Sequence, residues 1–395
     1  MPKESTVRSP ELPENGHEMS RDHPVVVPAQ AVPGDTLDHI DTPALVLDLD
    51  LFEENLRTLQ ALAERHGVAV RAHAKAHKCP QVALRQIALG AVGICCQKVS
   101  EAVPFVNAGV RDVLITNEVV GGQKLDLLAH LARHAHVMVC ADHPTALQAL
   151  SDTMVAHKAS VGVLIEVDVG QKRCGVQTPD HVVELARQVQ ALPQLVFRGI
   201  QAYHGGLQHK RSAQAREHAC ATVADRVRRV LAALQRAGIE CPVVSGGGTG
   251  TVAFDVPSGV FTEVQPGSYA FMDTDYAAND WGETVAFRHA VYLLGTVMST
   301  PAPGRAVVDV GLKSASAESG VPTLLDCPDV QAVSISDEHT VLHANDTAIL
   351  PALGAKVRLL PSHCDPTFNL HDQVVCVRNN KVEALWPVLA RGLSR

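Results

Sequence analysis

The chain has 395 residues, of which 46% are hydrophobic, and a formal net charge of −8 at pH 7. This composition is that of a globular protein long enough for one large domain and a smaller one. The acidic balance argues against a nucleic-acid surface, and no apolar run approaches the ~20 residues that a membrane span requires. Residues 1–40 are polar, rich in Pro and Glu, and lack the apolar segment of a signal peptide. We therefore expect a flexible extension there, and a protein that binds neither membranes nor nucleic acids.

The ten cysteines show no metal-binding or disulfide pattern. None forms a CxxC pair, and Cys95 and Cys96 are adjacent. Reduced thiols that pack as small apolar residues are the simplest interpretation, and they predict a cytoplasmic protein.

Eight short runs rich in β-branched residues alternate with helical stretches from residue 68 onward. The predicted strands are 68–71, 92–95, 113–116, 137–140, 161–167, 197–203, 243–245 and 262–265. Between two of them, residues 213–237 place apolar side chains at helical spacing. Eight strands joined by connections of helix length predict a closed (β/α)8 TIM-type barrel over residues 41–285. An open doubly wound sheet is the alternative.

A mostly-β domain is predicted for residues 286–395. Its short strand candidates, separated by Gly, Pro, Asn and Asp, are 291–297, 305–310, 356–360 and 374–377. Residues 44–47 precede the barrel and can form a strand that joins this β-domain.

Polar residues and glycines collect directly after the predicted barrel strands, where barrel enzymes place their active sites. Lys75 follows the first strand, among His73, His77 and Lys78, and SGGGTGT follows the seventh at 245–251. A lysine needs a depressed pKa to act as an amine nucleophile, which neighbouring cations or burial can supply. A surface basic cluster is the alternative interpretation of the lysine.

The glycine run suits a phosphate group. Glycines let backbone N–H groups approach a phosphate closely, and a helix beginning at Thr249 would direct its positive end towards it. A plain tight turn is the alternative.

His363 and Asp365 form the second polar signal, in the predicted β-domain. Two residues apart on an extended segment, their side chains point to the same side and can share one divalent ion. By spacing alone, a hydrogen-bonded pair without a metal is favoured over a metal site.

These segments together resemble the fold-type III, alanine-racemase-like enzymes that use pyridoxal 5′-phosphate (PLP). Within them the chain is most similar to the D-threonine aldolase and 3-hydroxy-D-aspartate aldolase group. The resemblance spans roughly residues 41–392, and among its segments are RAHAKAHKCP at 71–80, IEVDVGQKRCGV at 165–176, QAYHGGLQH at 201–209, SGGGTGT at 245–251, SDEH at 336–339 and SHCDPT at 362–367.

The resemblance implies a role for individual residues. Lys75 would be the Schiff-base lysine, Arg173 would approach the pyridine nitrogen, and His209 would assist proton transfer. Contacts to the phosphate or the ring would come from Tyr203, Gly247, Gly248, Thr249, Gly267 and Tyr269. His363 and Asp365 would bind a catalytic divalent metal. Asp337 is a candidate substrate contact, with a polar turn as the alternative.

The activity implied is retro-aldol cleavage of a D-3-hydroxy-amino acid to glycine and an aldehyde, by a homodimer. Related D-serine dehydratases bind zinc through His-x-Cys, whereas this chain has Asp365, which favours Mn2+ or Mg2+ over Zn2+. A D-serine or D-3-hydroxyaspartate dehydratase remains the alternative. Racemisation would need a tyrosine from the β-domain, and Tyr292 there falls within a predicted strand. A non-catalytic PLP-binding homeostasis protein is the alternative of another class, but such proteins lack a β-domain.

Overall fold

The computed structural model describes residues 26–282, 285–344 and 349–395. Residues 1–25, the larger part of the predicted flexible extension 1–40, lie outside the described residues. Residues 30–40 of that extension contact the rest of the protein. Gly34 donates its N–H to the Val382 carbonyl at 2.8 Å, and the Val382 N–H donates to the Asp35 carbonyl at 2.8 Å. Ile40 is buried. Residues 34–40 thus form backbone hydrogen bonds and contribute to a core, and the flexibility expected for residues 1–40 remains a prediction.

The first strand, β1 (Ala44–Asp48), is followed by the eight strands of the barrel. These are β2 (Ala69–His73), β3 (Gly93–Cys96), β4 (Asp112–Glu118), β5 (His136–Ala141), β6 (Val161–Glu166), β7 (Leu195–Ala202), β8 (Val243–Gly246) and β9 (Glu263–Val264). All neighbouring pairs are parallel, and β9 pairs with β2, which closes the barrel. The predicted (β/α)8 barrel is confirmed and the open sheet is excluded, since every predicted strand is present in a closed ring.

The helices alternate with these strands and cover the outside of the barrel. They are α1 (Leu49–Arg65), α2 (Pro80–Ala88), α3 (Val99–Asn107), α4 (Gly122–Ala132), α5 (Pro144–Ala156), α6 (Pro179–Ala191), α7 (Ala213–Arg236) and the short α8 (Val252–Asp255) and α9 (Thr274–Ala277). Helix α7 begins where the Ser212 side chain accepts the Ala215 N–H, and its buried stripe repeats at helical spacing. Strands β3 and β6 are buried along almost their whole length, as expected for parallel strands covered on both faces.

The remaining strands form one nine-stranded sheet together with β1. They are β10 (Val291–Ala302), β11 (Arg305–Val308), β12 (Thr323–Leu324), β13 (Val330–Ile335), β14 (Thr340–Ala344), β15 (Lys356–Leu360), β16 (Gln373–Arg378) and β17 (Lys381–Pro387), with the short helix α10 (Cys364–Phe368) between β15 and β16. Strand β1 pairs antiparallel with β10 and parallel with β16. A segment that precedes the barrel in sequence is therefore a central strand of the second sheet.

All ten cysteines are free, and seven of them are buried. Among the described residues, we find no helix with the length and apolar character needed to cross a membrane.

Candidate active site

Lys75 lies one turn beyond the first barrel strand. Strand β2 ends at His73, and a 3-10 turn over Ala74–Ala76 carries Lys75 at the carboxyl end of the barrel. The His73 ring fixes this turn, because its Nδ1 accepts the Lys75 backbone N–H at 3.3 Å and its Nε2 lies 3.0 Å from the Thr116 hydroxyl. Burial lowers the pKa values of His73 and His77 to about 3. Both rings are therefore neutral near pH 7 and bring no positive charge to the lysine.

The Lys75 ammonium forms an ion pair with the Asp365 carboxylate. Burial disfavours the charge on Lys75, but Asp365 and Tyr203 favour it more strongly, so the pKa of Lys75 is raised. Burial likewise disfavours the charge on Asp365, but Lys75 and His363 outweigh this and lower its pKa. The expectation of a depressed pKa for Lys75 is wrong for this arrangement, because the carboxylate contributed by the second domain opposes it.

His363 and Asp365 come together, although the segment that carries them is not extended as predicted. Helix α10 begins at Cys364, so Asp365 lies in its first turn while His363 precedes the helix with an extended backbone. The His363 Nε2 atom is nevertheless 3.7 Å from Asp365 Oδ1. The Ser268 hydroxyl, from the loop after β9, donates to the same oxygen at 3.0 Å.

Glu318 is a site residue that the sequence analysis missed. Its carboxylate binds Nδ1 of His363. The loop that carries Glu318 is held by Ser316, whose N–H donates to Thr367 Oγ1 at 3.2 Å and whose carbonyl accepts the Ser362 hydroxyl at 3.1 Å. A carboxylate on Nδ1 keeps the proton there and leaves the Nε2 lone pair free to face Asp365.

The His363–Asp365 pair fits two ligands of one metal ion. Ligands bound at about 2.1 Å to a shared ion lie about 3 to 4 Å from each other, which agrees with the 3.7 Å between Nε2 and Oδ1. Across the described ranges, no group of three or more His, Cys, Asp or Glu side chains could hold a metal ion. An ion here would therefore need water to complete its shell, as Mg2+ usually does. Cys364 is buried between these residues, and burial raises the pKa of its thiol well above the usual value.

The glycine loop after β8 is built around close contacts. Gly247 has a φ of +67°, which favours glycine. A Cβ atom at Gly248 would lie 2.6 Å from Gln208 Oε1, and one at Gly250 would lie 2.1 Å from the Gln208 carbonyl oxygen. The predicted helix at Thr249 is only a 3-10 turn followed by the four residues of α8, so its dipole contributes little. The feature that suits a phosphate is therefore the glycine backbone that lines this loop, and not a helix dipole.

The loop after β9 connects this cradle to the Lys75 turn. The Tyr269 N–H donates to Thr249 Oγ1 at 3.0 Å, and a Cβ atom at Gly267 would lie 2.9 Å from the His73 carbonyl oxygen. The Tyr269 side chain is buried, and its hydroxyl accepts a hydrogen bond from Gln86 at 3.4 Å. Lys75 and the cradle are thus parts of one rim, which fits a cofactor that carries both an aldehyde and a phosphate.

Tyr203 and Arg173 lie at the same rim. Burial raises the pKa of Tyr203, which also interacts electrostatically with Lys75, Asp365 and Arg173. Glu166, at the end of β6, has its pKa raised to about 8 by burial and by the neighbouring Glu118.

His209 is held by a second carboxylate. Its Nδ1 lies 2.6 Å from Asp275 Oδ2, and Asp275 also binds Arg211. Burial disfavours the charge on Asp275, but Arg211 and His209 outweigh it and lower its pKa. The His209 ring also packs on Tyr276, with ring centroids 5.2 Å apart. Asp275 is a second residue that the sequence analysis missed.

Asp337 lies in an exposed turn of the second domain. It occupies the turn between β13 and β14, its side chain is 71% exposed, and its ion-pair partner is Lys313 at 3.9 Å. These contacts are those of a polar turn, and its predicted substrate contact remains a prediction.

The comparisons with known proteins agree with this fold and site. Residues 47–275 match the family "Alanine racemase, N-terminal domain", and residues 290–377 match "Putative serine dehydratase domain". The chain therefore belongs to the alanine-racemase-like family, the fold-type III PLP enzymes. Within it, the chain falls in the predicted group of D-threonine aldolase and 3-hydroxy-D-aspartate aldolase, so the predicted family is confirmed.

Three relatives carry that assignment. A D-threonine aldolase of Arthrobacter sp. is 53% identical over 94% of this chain and 98% of its own length. A 3-hydroxy-D-aspartate aldolase of Paracoccus denitrificans (strain Pd 1222) is 43% identical over 96% of this chain and 97% of its own. The crystal structure of D-threonine aldolase from Filomicrobium marinum superposes with a TM-score of 0.91 at 48% identity, covering 93% of this chain and 100% of that one.

Proposed function

We propose that this protein is a PLP- and divalent-metal-dependent aldolase. It cleaves D-3-hydroxy-amino acids of the D-threonine or 3-hydroxy-D-aspartate type to glycine and an aldehyde. The observation that carries the proposal is the contact between Lys75, at the end of the first barrel strand, and Asp365 of the His363–Asp365 pair. Through this contact, a candidate cofactor lysine of the barrel lies beside a candidate metal site of the second domain.

The chain's residues have distinct tasks in holding the cofactor. Lys75 would attach PLP through Nζ, the loop after β8 would hold its phosphate, and Arg173 would lie near its pyridine nitrogen. When bound, PLP supplies the electron sink that accepts the electrons of the breaking Cα–Cβ bond. Lys75 reacts only as a neutral amine, so its ion pair with Asp365 must be broken as the site is loaded.

His363 Nε2 and the Asp365 carboxylate would hold the divalent metal, with Glu318 keeping His363 in the ligating tautomer. The chemistry that the metal would supply there is a lowered pKa for a hydroxyl or water bound beside it. The oxygen ligand at position 365 favours Mn2+ or Mg2+ over Zn2+.

His209 is suited to accept the proton of the substrate's β-hydroxyl group. Its Nδ1 is committed to Asp275, so Nε2 carries the lone pair that can act as a base. Asp275 remains ionised and stabilises the imidazolium that forms.

Dehydration is the second candidate, because a D-threo-3-hydroxyaspartate dehydratase of Delftia sp. (strain HT23) is 29% identical over 84% of this chain. Racemisation has less support, since Tyr292 is buried in β10, with the Arg358 guanidinium 5.6 Å from its ring centroid. A non-catalytic PLP-binding protein is disfavoured by the second domain, whose helix α10 carries Asp365.

Product analysis tests the proposal. Purified protein is incubated with PLP, Mn2+ and D-threonine, or with 3-hydroxy-D-aspartate in a parallel reaction. We expect glycine together with acetaldehyde from D-threonine, and loss of turnover on EDTA treatment that Mn2+ restores. Ammonia with 2-oxobutyrate would instead make the protein a dehydratase and contradict the proposal.

We further propose that the enzyme is a cytoplasmic homodimer. The free state of all ten cysteines supports a reducing compartment, and the family resemblance supports the dimer. Light scattering coupled to size-exclusion chromatography should give twice the chain mass of 42.1 kDa, and a monomeric mass would contradict the dimer.

A further inference from the structure

A cleft of about 850 Å3 lies at the amino-terminal end of the barrel, the end opposite the rim that carries Lys75. It is formed by the beginnings of strands β5 to β8 and by the turns that lead into them. Its volume lies within the range of small-molecule binding sites, about 300 to 1,000 Å3. Because the barrel interior is filled with side chains, the cleft is separate from the rim that carries Lys75.

Besides Arg71, four basic side chains from different elements line this cleft. Arg133 follows α4, His136 begins β5, Lys158 follows α5 and Arg198 lies in β7. The Arg198 stem lies across β6 because Gly162 leaves room for it, since a Cβ atom at Gly162 would be 2.8 Å from Arg198 Cγ. The fold therefore brings together cations that are far apart in the sequence.

These cations are not neutralised by the protein. Among the described lining residues, Asp112 is the one that carries a carboxylate, and this carboxylate binds Arg71. Arg71 also binds Glu263 at 2.8 Å. Within the parts of the chain that the structure describes, Arg133, Lys158 and Arg198 form no ion pair. Three uncompensated positive charges thus face one cleft of a protein whose net charge is −8. Such a concentration of one sign of charge attracts and orients anions.

We propose that this cleft binds a small polyanion that carries phosphate groups, of nucleotide size. Arginine forks and a lysine ammonium are the groups that recognise phosphate oxygens, and cations on separate elements suit more than one phosphate. The Ser160 hydroxyl can add a further hydrogen bond, and Val196, which is 45% exposed, and Val243 offer an apolar surface for the remainder of the ligand.

Isothermal titration calorimetry of the PLP-loaded protein, at physiological ionic strength, tests this with inorganic triphosphate, ATP and adenosine. We expect triphosphate and ATP to bind and adenosine not to bind. Arg198→Gln and Lys158→Gln should each weaken ATP binding about tenfold or more, because each removes a charge-assisted hydrogen bond. The matched controls Arg229→Gln and Lys124→Gln change exposed cations outside the cleft and should leave the affinity unchanged.

Circular dichroism of each variant verifies that the fold is retained. An absence of binding by both triphosphate and ATP would overturn the proposal. It would also be overturned by ATP binding that survives unchanged in the two cleft variants, or by ATP binding without triphosphate binding.

Discussion

At the scale of single residues, the site contains two histidine–carboxylate pairs. Glu318 binds Nδ1 of His363, and Asp275 binds Nδ1 of His209. In both pairs the carboxylate keeps the proton on Nδ1 and leaves the Nε2 lone pair available. The same arrangement can thus serve a metal ligand in one case and a base in the other.

Lys75→Ala should abolish the visible absorbance of bound PLP, because the variant has no amine at the end of β2 to form the Schiff base. Absorption spectra of the protein after reconstitution with PLP measure this. Lys124→Ala, which removes an exposed lysine from α4, should retain the spectrum. An unchanged spectrum in the Lys75 variant would refute the assignment of the cofactor lysine.

Glu318→Ala should weaken Mn2+ binding by about 10- to 100-fold, because His363 loses the partner that orients its ring. Glu318→Gln keeps an oxygen acceptor and should bind with intermediate affinity. The readout is the Mn2+ dissociation constant from electron paramagnetic resonance, with Glu338→Gln as a control on an exposed carboxylate. Equal affinities in all variants would show that Glu318 does not position His363, whereas no binding by the wild type would refute the metal site itself.

Asp275→Asn should lower kcat about 100-fold or more with little change in KM, because the amide can donate to Nδ1 and select the wrong tautomer of His209. Steady-state kinetics with the preferred D-3-hydroxy-amino acid measure this. Asp225→Asn, which alters an exposed pair with Arg228 on α7, should retain full activity. A fall confined to KM would point to substrate binding instead of proton transfer.

At the scale of elements, the loop after β8 is supported by a buried acid. Asp255 lies in α8, accepts a hydrogen bond from the Thr251 hydroxyl, and would be 2.7 Å from a Cβ atom placed on Gly247. Burial raises the pKa of Asp255 to about 7. The loop that is expected to hold a phosphate therefore packs on a carboxyl group that is neutral in mildly acidic solution.

This raised pKa predicts a loss of stability with rising pH. The folded protein keeps the Asp255 proton up to about pH 7, whereas the unfolded chain loses it near the ordinary value of 3.8. The stabilisation is therefore complete below that ordinary value and is lost as the pH rises towards 7, by at most about 4 kcal/mol. Asp255→Asn should remove this component. Urea unfolding of the cofactor-free protein measures the free energy of unfolding at pH 5 and at pH 7.5. This free energy should decrease less between the two pH values in the variant than in the wild type. Equal decreases would show that Asp255 does not cause the pH dependence.

At the scale of the whole molecule, strand β1 joins the two domains. It precedes the barrel in sequence, yet it pairs with β10 and β16 in the second sheet, and α1 follows it directly. The active site depends on this connection, because Lys75 and Asp365 come from different domains.

Leu47→Ala should destabilise the entire protein by about 2 to 5 kcal/mol, because Leu47 is fully buried in β1. In a Trp281→Phe background, the remaining tryptophan is Trp386 in β17 of the second domain. The loss of PLP absorbance, which reports on the barrel, should coincide with the change in Trp386 fluorescence on urea unfolding. The control Val120→Ala changes a side chain that is 68% exposed and should have little effect. Early loss of one signal, with the other unchanged, would show that β1 does not couple the domains.

Several features of this protein followed from the sequence alone. The eight barrel strands are visible as local apolar runs separated by helical spacing, and parallel strands place their following residues at one rim. Lys75, the glycine loop at 245–251 and the His363–Asp365 pair could therefore be selected before any contact was known. Their expected roles rest on the family resemblance, and the family itself is confirmed by the relatives.

Only the tertiary structure decided which groups meet. The ion pair of Lys75 with Asp365 spans 290 positions, and Glu318 lies 45 positions from His363. No periodicity relates residues at such separations, because their proximity results from tertiary packing. Lys75 and Asp365 meet where one domain packs on the other, and Glu318 and His363 meet through packing within the second domain. The same reason explains the raised pKa of Lys75, the placement of β1 in the second sheet and the cluster of cations in the amino-terminal cleft. Local patterns specify elements and their ends, whereas charge pairs and shared protons depend on where the folded chain places those ends.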